Sequence, residues 1–421
     1  MATVRPLSDG EESSVALWPR EIKVLGAQAG ISSITFYTID PAATSFDAWQ
    51  ADVRLRFLPI IAANPWLAAQ LVSGPAMQYD ASGSAEDACS RVFSATQNVA
   101  IHPNAEYNAL SVACAALGVG GAKDLFKSGA PVGKLVCIDV SPTCVALLWS
   151  VSHAVADGYT YYRLINMLAE NVAVEALAPQ RVALKTFTAD IRASLGVEEE
   201  KWVADSPVLI KNIIMGMTRD AKCRLAAYTV DLAKVAALKA AAAAESGAQP
   251  YVSTNDVITS HFFKACDARL GLMAMNMRGR IACATGSMSG NYEHTPVYDA
   301  ESFASPNAIR ASLTAAPGRV RRVGGRPKLP QWCESCPLAM ITSWDFPFKV
   351  LWPGATQTLH LPTNPMPADK IPLDIAVPFR PTPDSLAVLY FAKRATKATL
   401  TEGADSPLGE LLSDTIFRGW S

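Results

Sequence analysis

With 421 residues, the chain is too long for one ordinary core, so two domains are expected. Its net charge of -1 excludes a general attraction to nucleic acid or an acidic membrane surface, and its 50% hydrophobic content suits a well-buried globular chain. Nine scattered cysteines read as reduced thiols of a cytosolic protein; residues 1–14 lack the apolar stretch of a secretory signal, and no apolar run is long enough to span a bilayer.

Residues 32–37, Ser-Ser-Ile-Thr-Phe-Tyr, are rich in β-branched and aromatic types and predict a strand. A Ser-x-Asp cap at Ser45 opens a predicted helix over 45–57. Residues 135–140 and 144–151 read as two strands joined by a Ser-Pro turn, and helical spacing returns over 158–171 with Tyr161, Leu164, Ile165 and Leu168 on one stripe. His153 therefore falls between the end of a buried strand and the start of a helix. Residues 181–223 lack a clean period, which places the crossover between domains at 186–222. A strand over 223–230 and an Ala-rich helix over 231–245, stopped by Gly247, follow. Ser253-Thr254-Asn255-Asp256 caps a helix over 257–270. Residues 273–284 read as a strand carrying Asn276, Arg278 and Arg280, and 318–337 as a Gly/Pro-rich basic loop. Strands over 338–344 and 385–392 and a helix near 406–417 complete the chain.

Chemistry concentrates in His153-Ala154-Val155-Ala156-Asp157-Gly158. A histidine four residues before an aspartate is by itself a weak signal, equally compatible with a strand-end histidine bonded to backbone. Its surroundings are more specific. The segment from Leu147 to Gly158 resembles the active-site strand and turn of the BAHD family, within the wider His-x3-Asp CoA-dependent acyltransferases. Ser253-Thr254-Asn255-Asp256-Val257-Ile258-Thr259 is similar to a helix start of that family. Asn276-Met277-Arg278-Gly279-Arg280 followed by Gly290-Asn291 resembles its Asn-x-Arg-x-Arg strand and Gly-Asn. Ile341-Thr342-Ser343-Trp344 resembles its Thr-Ser-Trp strand, and Asn64-Pro65-Trp66-Leu67 falls where the family ends an N-terminal helix. One departure stands out. The family's Asp-Phe-Gly-Trp-Gly is replaced by Leu351-Trp352-Pro353-Gly354-Ala355, while Asp345-Phe346-Pro347 follows Trp344 directly. The chain is thus expected to be a divergent member.

The resemblance implies an α/β fold of two related chloramphenicol-acetyltransferase-like domains, with mixed sheets flanked by helices and a channel between them. Residues 1–185 would form the N-terminal acyltransferase domain, 186–222 the crossover linker and 223–421 the C-terminal domain. It implies acyl transfer, acetyl by default, from CoA to a hydroxyl or amine of a small metabolite, as in secondary metabolism. Acyl-CoA would be a co-substrate, no cofactor would be permanently bound, and a cytoplasmic monomer without nucleic-acid or membrane partners is expected. An unperturbed histidine titrates near ~6.5, so His153 can accept the acceptor's proton and return it to the leaving thiolate without a covalent intermediate. The family's Asp points away from the cleft and pairs with an arginine, so Asp157 is expected to brace the loop against Arg278, or else Arg280. Thr342 and Trp344, two apart on a strand, would share one face and bind acceptor and oxyanion. Ser253 and Thr254, at a helix N-terminus, together with Gly290 and Asn291, are expected to contact CoA. Arg319, Arg321, Arg322, Arg326 and Lys328 offer cations for the CoA phosphates, most of them more simply read as a solvated loop. Cys333-x-x-Cys336 has no second ligand pair nearby, so zinc is not expected. Two other readings compete: a ligand-binding pseudoenzyme of the same fold, and a condensation-type enzyme fed by a carrier protein. Against the latter, Ser152 stands where a double-histidine motif would place its first histidine.

Overall fold

The computed structural model describes residues 12–27, 29–98, 100–218, 223–245, 247, 249–313, 327–332, 334–346, 348–366 and 371–418. Its architecture is mixed α/β. A five-stranded sheet runs Ala355–Thr363, Ile31–Ile39, Cys144–Val151, Gly133–Ser141, Phe93–Gln97. Only its Phe93–Gln97/Gly133–Ser141 pair is parallel. An eight-stranded sheet is built on Leu270–Asn276, Leu338–Thr342, Asp374–Phe379, Ala387–Ala392 and Arg224–Val230. Leu338–Thr342 lies parallel to both its neighbours there. The strand Ala355–Thr363, from the C-terminal half of the sequence, joins the edge of the first sheet, paired antiparallel to Ile31–Ile39.

Cys144–Val151 owes its continuous apolar sequence to its place. It is flanked by two strands and covered on both faces, and every residue from Val145 to Val151 is buried. Leu147 and Trp149 face one core cluster, Ala146 and Leu148 another. Truncating Leu148 to Ala would cost roughly 2–5 kcal/mol, because both its neighbours and the facing layer are already close-packed.

Several expectations change. Residues 184–218 are not irregular: they form helices Leu184–Leu195, Val197–Asp205 and Pro207–Thr218. Gly196 and Ser206–Pro207 break them too often for a long period to build up, yet Phe187, Ile191 and Leu195 form a buried i, i+4 stripe packed with the second half. The strand expected over 273–284 is Leu270–Asn276; it stops before Arg278, where Gly279 turns at φ +71°. The last expected helix is instead a short edge strand, Leu408–Leu411, paired to Arg224–Val230, preceded by a helix Lys397–Thr401. Sheet pairing outweighed local propensity there. Tyr107–Ser128 has a mean hydropathy of 1.4 and the length to cross a membrane, but it is divided into helices Tyr107–Leu117 and Ala122–Ser128.

Candidate active site

Beyond Val151 the chain turns sharply. Ser152 N–H donates to the Val132 carbonyl at 2.7 Å, and Val155 N–H returns to the Ser152 carbonyl at 3.0 Å. The turn lifts His153 half out of the core while Ala154, Val155 and Ala156 stay fully buried beneath it. Asp157 then caps the helix Gly158–Asn166: its Oδ1 accepts from the Thr160 N–H and hydroxyl, each at 2.9 Å.

The other oxygen of Asp157 is bound by the second half of the chain. Its Oδ2 accepts from Arg278 Nη1 at 2.6 Å and from the Tyr292 N–H at 3.1 Å. Arg278 is 7% exposed and saturated. Besides Asp157 it reaches Asn276 Oδ1 (3.0 Å), the Met288 carbonyl (2.8 Å), Thr160 Oγ1 (3.1 Å) and the Gly290 carbonyl (2.8 Å). A guanidinium has five N–H donors, and five acceptors surround this one. Arg278 rather than Arg280 takes this place, and from a turn after the strand rather than from the strand itself. The pair joins the His153 loop to the second half of the chain.

Gly290 and Asn291, expected against CoA, lie instead behind the imidazole. Asn291 is fully buried. Its Nδ2 donates to the His153 carbonyl at 2.9 Å and to Glu21 Oε1 at 3.0 Å, so both amide protons are used. Its Oδ1 is therefore the atom 3.0 Å from His153 Nδ1, and it can only accept. That fixes the proton on Nδ1 and leaves the Nε2 lone pair without a partner among the described residues. Glu21, also fully buried, is held in turn by Arg181 Nε at 2.9 Å and by the Trp18 N–H at 2.8 Å. Gly290 has φ +116°, and a Cβ there would overlap the Arg181 guanidinium, so only glycine fits. Sequence reasoning missed Glu21 and Arg181. Their one available signal was a glutamate three residues after Trp18 at a Pro-initiated helix, the pattern of a cap rather than of a site.

His153 borders a cavity of about 450 Å³. Met340, Thr342 and Trp344 line it in alternation, as do Ile375 with Val377 and Leu389 with Phe391 on the neighbouring strands. Thr342 closes its strand, and Trp344 follows with an isolated bridge to Phe379. The indole leans on Tyr161 and meets Tyr162 edge-on, with centroids 6.1 and 6.0 Å away. Its Nε1 edge lies over Gly158, at the start of the helix after the histidine. Beneath, a buried chain of hydrogen bonds runs from Thr35 Oγ1 through His360 to the Tyr162 hydroxyl, at 2.8 and 3.0 Å. Burial pushes His360 down to about 3, so it stays neutral. Asp345 pairs with Arg380 at 2.7 Å and Phe346 stacks on Tyr162. In the divergent stretch Trp352 is buried against Trp49 and Arg56.

Ser253 and Thr254 do not line this cavity. Ser253 forms a reciprocal capping box with Asp256, which pairs with Arg310 at 2.7 Å, and Thr254 Oγ1 accepts from Lys239 Nζ at 3.0 Å. The helix Thr254–Ala265 thus begins with a carboxylate already at its N-terminus. Of the basic cluster, Arg319, Arg321, Arg322 and Arg326 lie outside the described residues, as does Cys333; Lys328 is exposed near Glu301.

No protein-family model matches the chain. No curated protein matches it either. Solved structures do. F. sporotrichioides TRI101, complexed with coenzyme A and T-2, is 10% identical with a TM-score of 0.60 over 95% of this chain and 100% of its own. Vinorine synthase is 14% identical, TM-score 0.51, over 90% of this chain and 93% of its own. The first condensation domain of the calcium-dependent antibiotic synthetase is 14% identical, TM-score 0.51, over 95% and 99%. The fold is that of the two-domain CoA acyltransferases and condensation domains, with mixed sheets and, among the described residues, no closed barrel.

Proposed function

We propose that the chain transfers an acyl group, acetyl by default, from acyl-CoA to a hydroxyl or amine of a small metabolite, with His153 as general base. The carrying observation is the imidazole itself, which stands at the wall of the cavity with Nδ1 bonded to Asn291 and Nε2 without a partner among the described residues. Nε2 takes the acceptor's proton as the oxygen or nitrogen attacks the thioester carbonyl. The tetrahedral oxyanion is stabilised by the Trp344 indole N–H and the Thr342 hydroxyl. Collapse breaks the C–S bond, and the imidazolium returns its proton to the CoA thiolate. In this scheme the acceptor attacks the thioester directly, so no covalent enzyme intermediate forms.

The largely apolar cavity suits an apolar acceptor body or acyl chain better than a sugar. The coenzyme A in the TRI101 complex supports CoA as donor. Ser253 and Thr254 remain the proposed approach to its phosphates, while Gly290 and Asn291 are reassigned to orienting the base. In this scheme residues 1–185 and 223–421 are the two acyltransferase domains of a cytosolic monomer, joined by 186–222.

The test is thiol release from acetyl-CoA in the presence of a metabolite pool. Wild-type protein releases CoA and His153→Ala does not; equal release by both would remove His153 from the chemistry. The likeness to a condensation domain favours a second reading, in which the donor is a carrier-protein thioester. It predicts no turnover with any free acyl-CoA and turnover with acyl-pantetheine attached to a carrier.

A further inference from the structure

A second chamber, of about 460 Å³, lies between the helices Leu184–Leu195 and Val197–Asp205 and the strand Glu293–His294. Leu25 lines both it and the His153 cavity. Its wall is continuous with the support of the base, because Arg20 Nη2 donates to the carbonyls of both Asn291 and Glu293.

Three carboxylates border it, Glu200, Asp205 and Glu293, against one guanidinium, Arg20. Arg192 holds Glu200 at 2.8 Å, so an excess of negative charge remains. Arg20 is itself packed between Trp18 and Phe187, 5.1 Å from each ring. His294 is 6% exposed, lines the chamber, and its Nε2 has no partner among the described residues. Burial holds this imidazole neutral, pushed down to about 3. Its Nε2 is sealed from solvent as well, so the imidazole lines the chamber without adding positive charge to it.

We propose that this chamber binds the cationic, amine-bearing part of the acyl acceptor, with Glu293 as its counter-charge. This assignment rests on the acyl-transfer reading above. Three features favour it. The chamber's charge repels the phosphates of CoA, which leaves it to the acceptor. An ammonium offers the N–H donors that the Glu293 carboxylate can receive. Burial also pushes the Glu293 carboxyl above its ordinary value, in part offset by the nearby His153 imidazole. A carboxylate short of solvation in this way gains from a bound cation.

The experiment is calorimetric titration of the full chain with hexylammonium and with 1-hexanol, matched in length and differing in charge. Wild-type protein should bind hexylammonium at least about tenfold more tightly, the worth of one hydrogen-bonded charge. Glu293→Gln, equal in shape, should erase the preference while leaving hexanol binding unchanged. Asp205→Asn, an exposed substitution that spares the core, should reduce it. Equal binding of the two probes by wild-type protein overturns the proposal. So does a preference that survives Glu293→Gln, or a variant whose only defect is in binding acetyl-CoA, which would give the chamber to the donor. Cation preference without thiol release from any acyl-CoA would instead count against acyl transfer and leave the chamber's ligand class standing.

Discussion

Asn291 bonds His153 at two points, receiving the imidazole Nδ1–H on its side-chain oxygen and donating from Nδ2 to the histidine's own carbonyl. One amide thereby sets the ring's orientation and its tautomer, and Glu21 fixes which way that amide faces. Asn291→Ala should lower kcat by about 10²-fold, within the range of a general base's contribution, with little change in the KM for acetyl-CoA. Glu21→Gln, which permits the amide to invert, should give a smaller loss of the same kind. Steady-state kinetics on both variants check this; a change confined to KM would contradict it.

Asp157 and Arg278 form a buried pair, 2% and 7% exposed. Asp157→Asn leaves the guanidinium short of its counter-charge and should cost roughly 3–5 kcal/mol in urea unfolding. His153→Ala, half-exposed and outside that pair, should cost far less while removing turnover. The two variants separate bracing from chemistry.

Gly290→Ala forces a side chain into φ +116° and against Arg181. A destabilisation of about 1–3 kcal/mol is expected from the backbone alone. Activity should fall with it, because Asn291 is the next residue. Thermal unfolding of this variant beside Gly74→Ala, where φ is +93° and no neighbour lies within 4 Å of the added Cβ, isolates the contribution of the clash.

Burial pushes His294 and His360 both down to about 3. The unfolded chain takes up these protons near ~6.5, the folded chain only near 3. Their contribution is therefore fully present above pH ~6.5 and is lost as pH falls toward 3, by at most about 1.4 kcal/mol per unit for each. Urea midpoints should drop steadily between pH 7 and 5. A flat profile would show that neither histidine stays neutral in the fold.

Trp344→Phe keeps the ring against Tyr161 and removes the indole N–H. If that N–H meets the oxyanion, kcat falls by roughly 10²-fold while the fold is unaffected. An unchanged kcat would limit Trp344 to shaping the cavity.

The strand-turn-helix around His153 was legible because its signals are local. A buried strand shows as an unbroken apolar run, a cap shows as an Asp before a helical stripe, and both lie within 25 residues of each other in the chain. That Thr342 and Trp344 share a face was legible for the same reason: alternation along a strand puts every second side chain on one face. The helices over 184–218 were not, since short helices broken at Gly196 and Pro207 leave no sustained period.

By itself the sequence determined the strand, turn and helix that carry His153 and the cap at Asp157, and its resemblance to a known family implied the class of fold. The local elements follow from periodicity and a short motif; the fold class follows from the resemblance. Tertiary structure alone decided what surrounds His153. Glu21, Asp157, Arg181, Arg278 and Asn291 come from four separated segments, and only the tertiary fold brings them within hydrogen-bond reach. It also moved Asn291 from the donor's side to the back of the imidazole. An amide's role is set by which acceptors and donors it meets, and those partners lie up to 270 residues away in the chain.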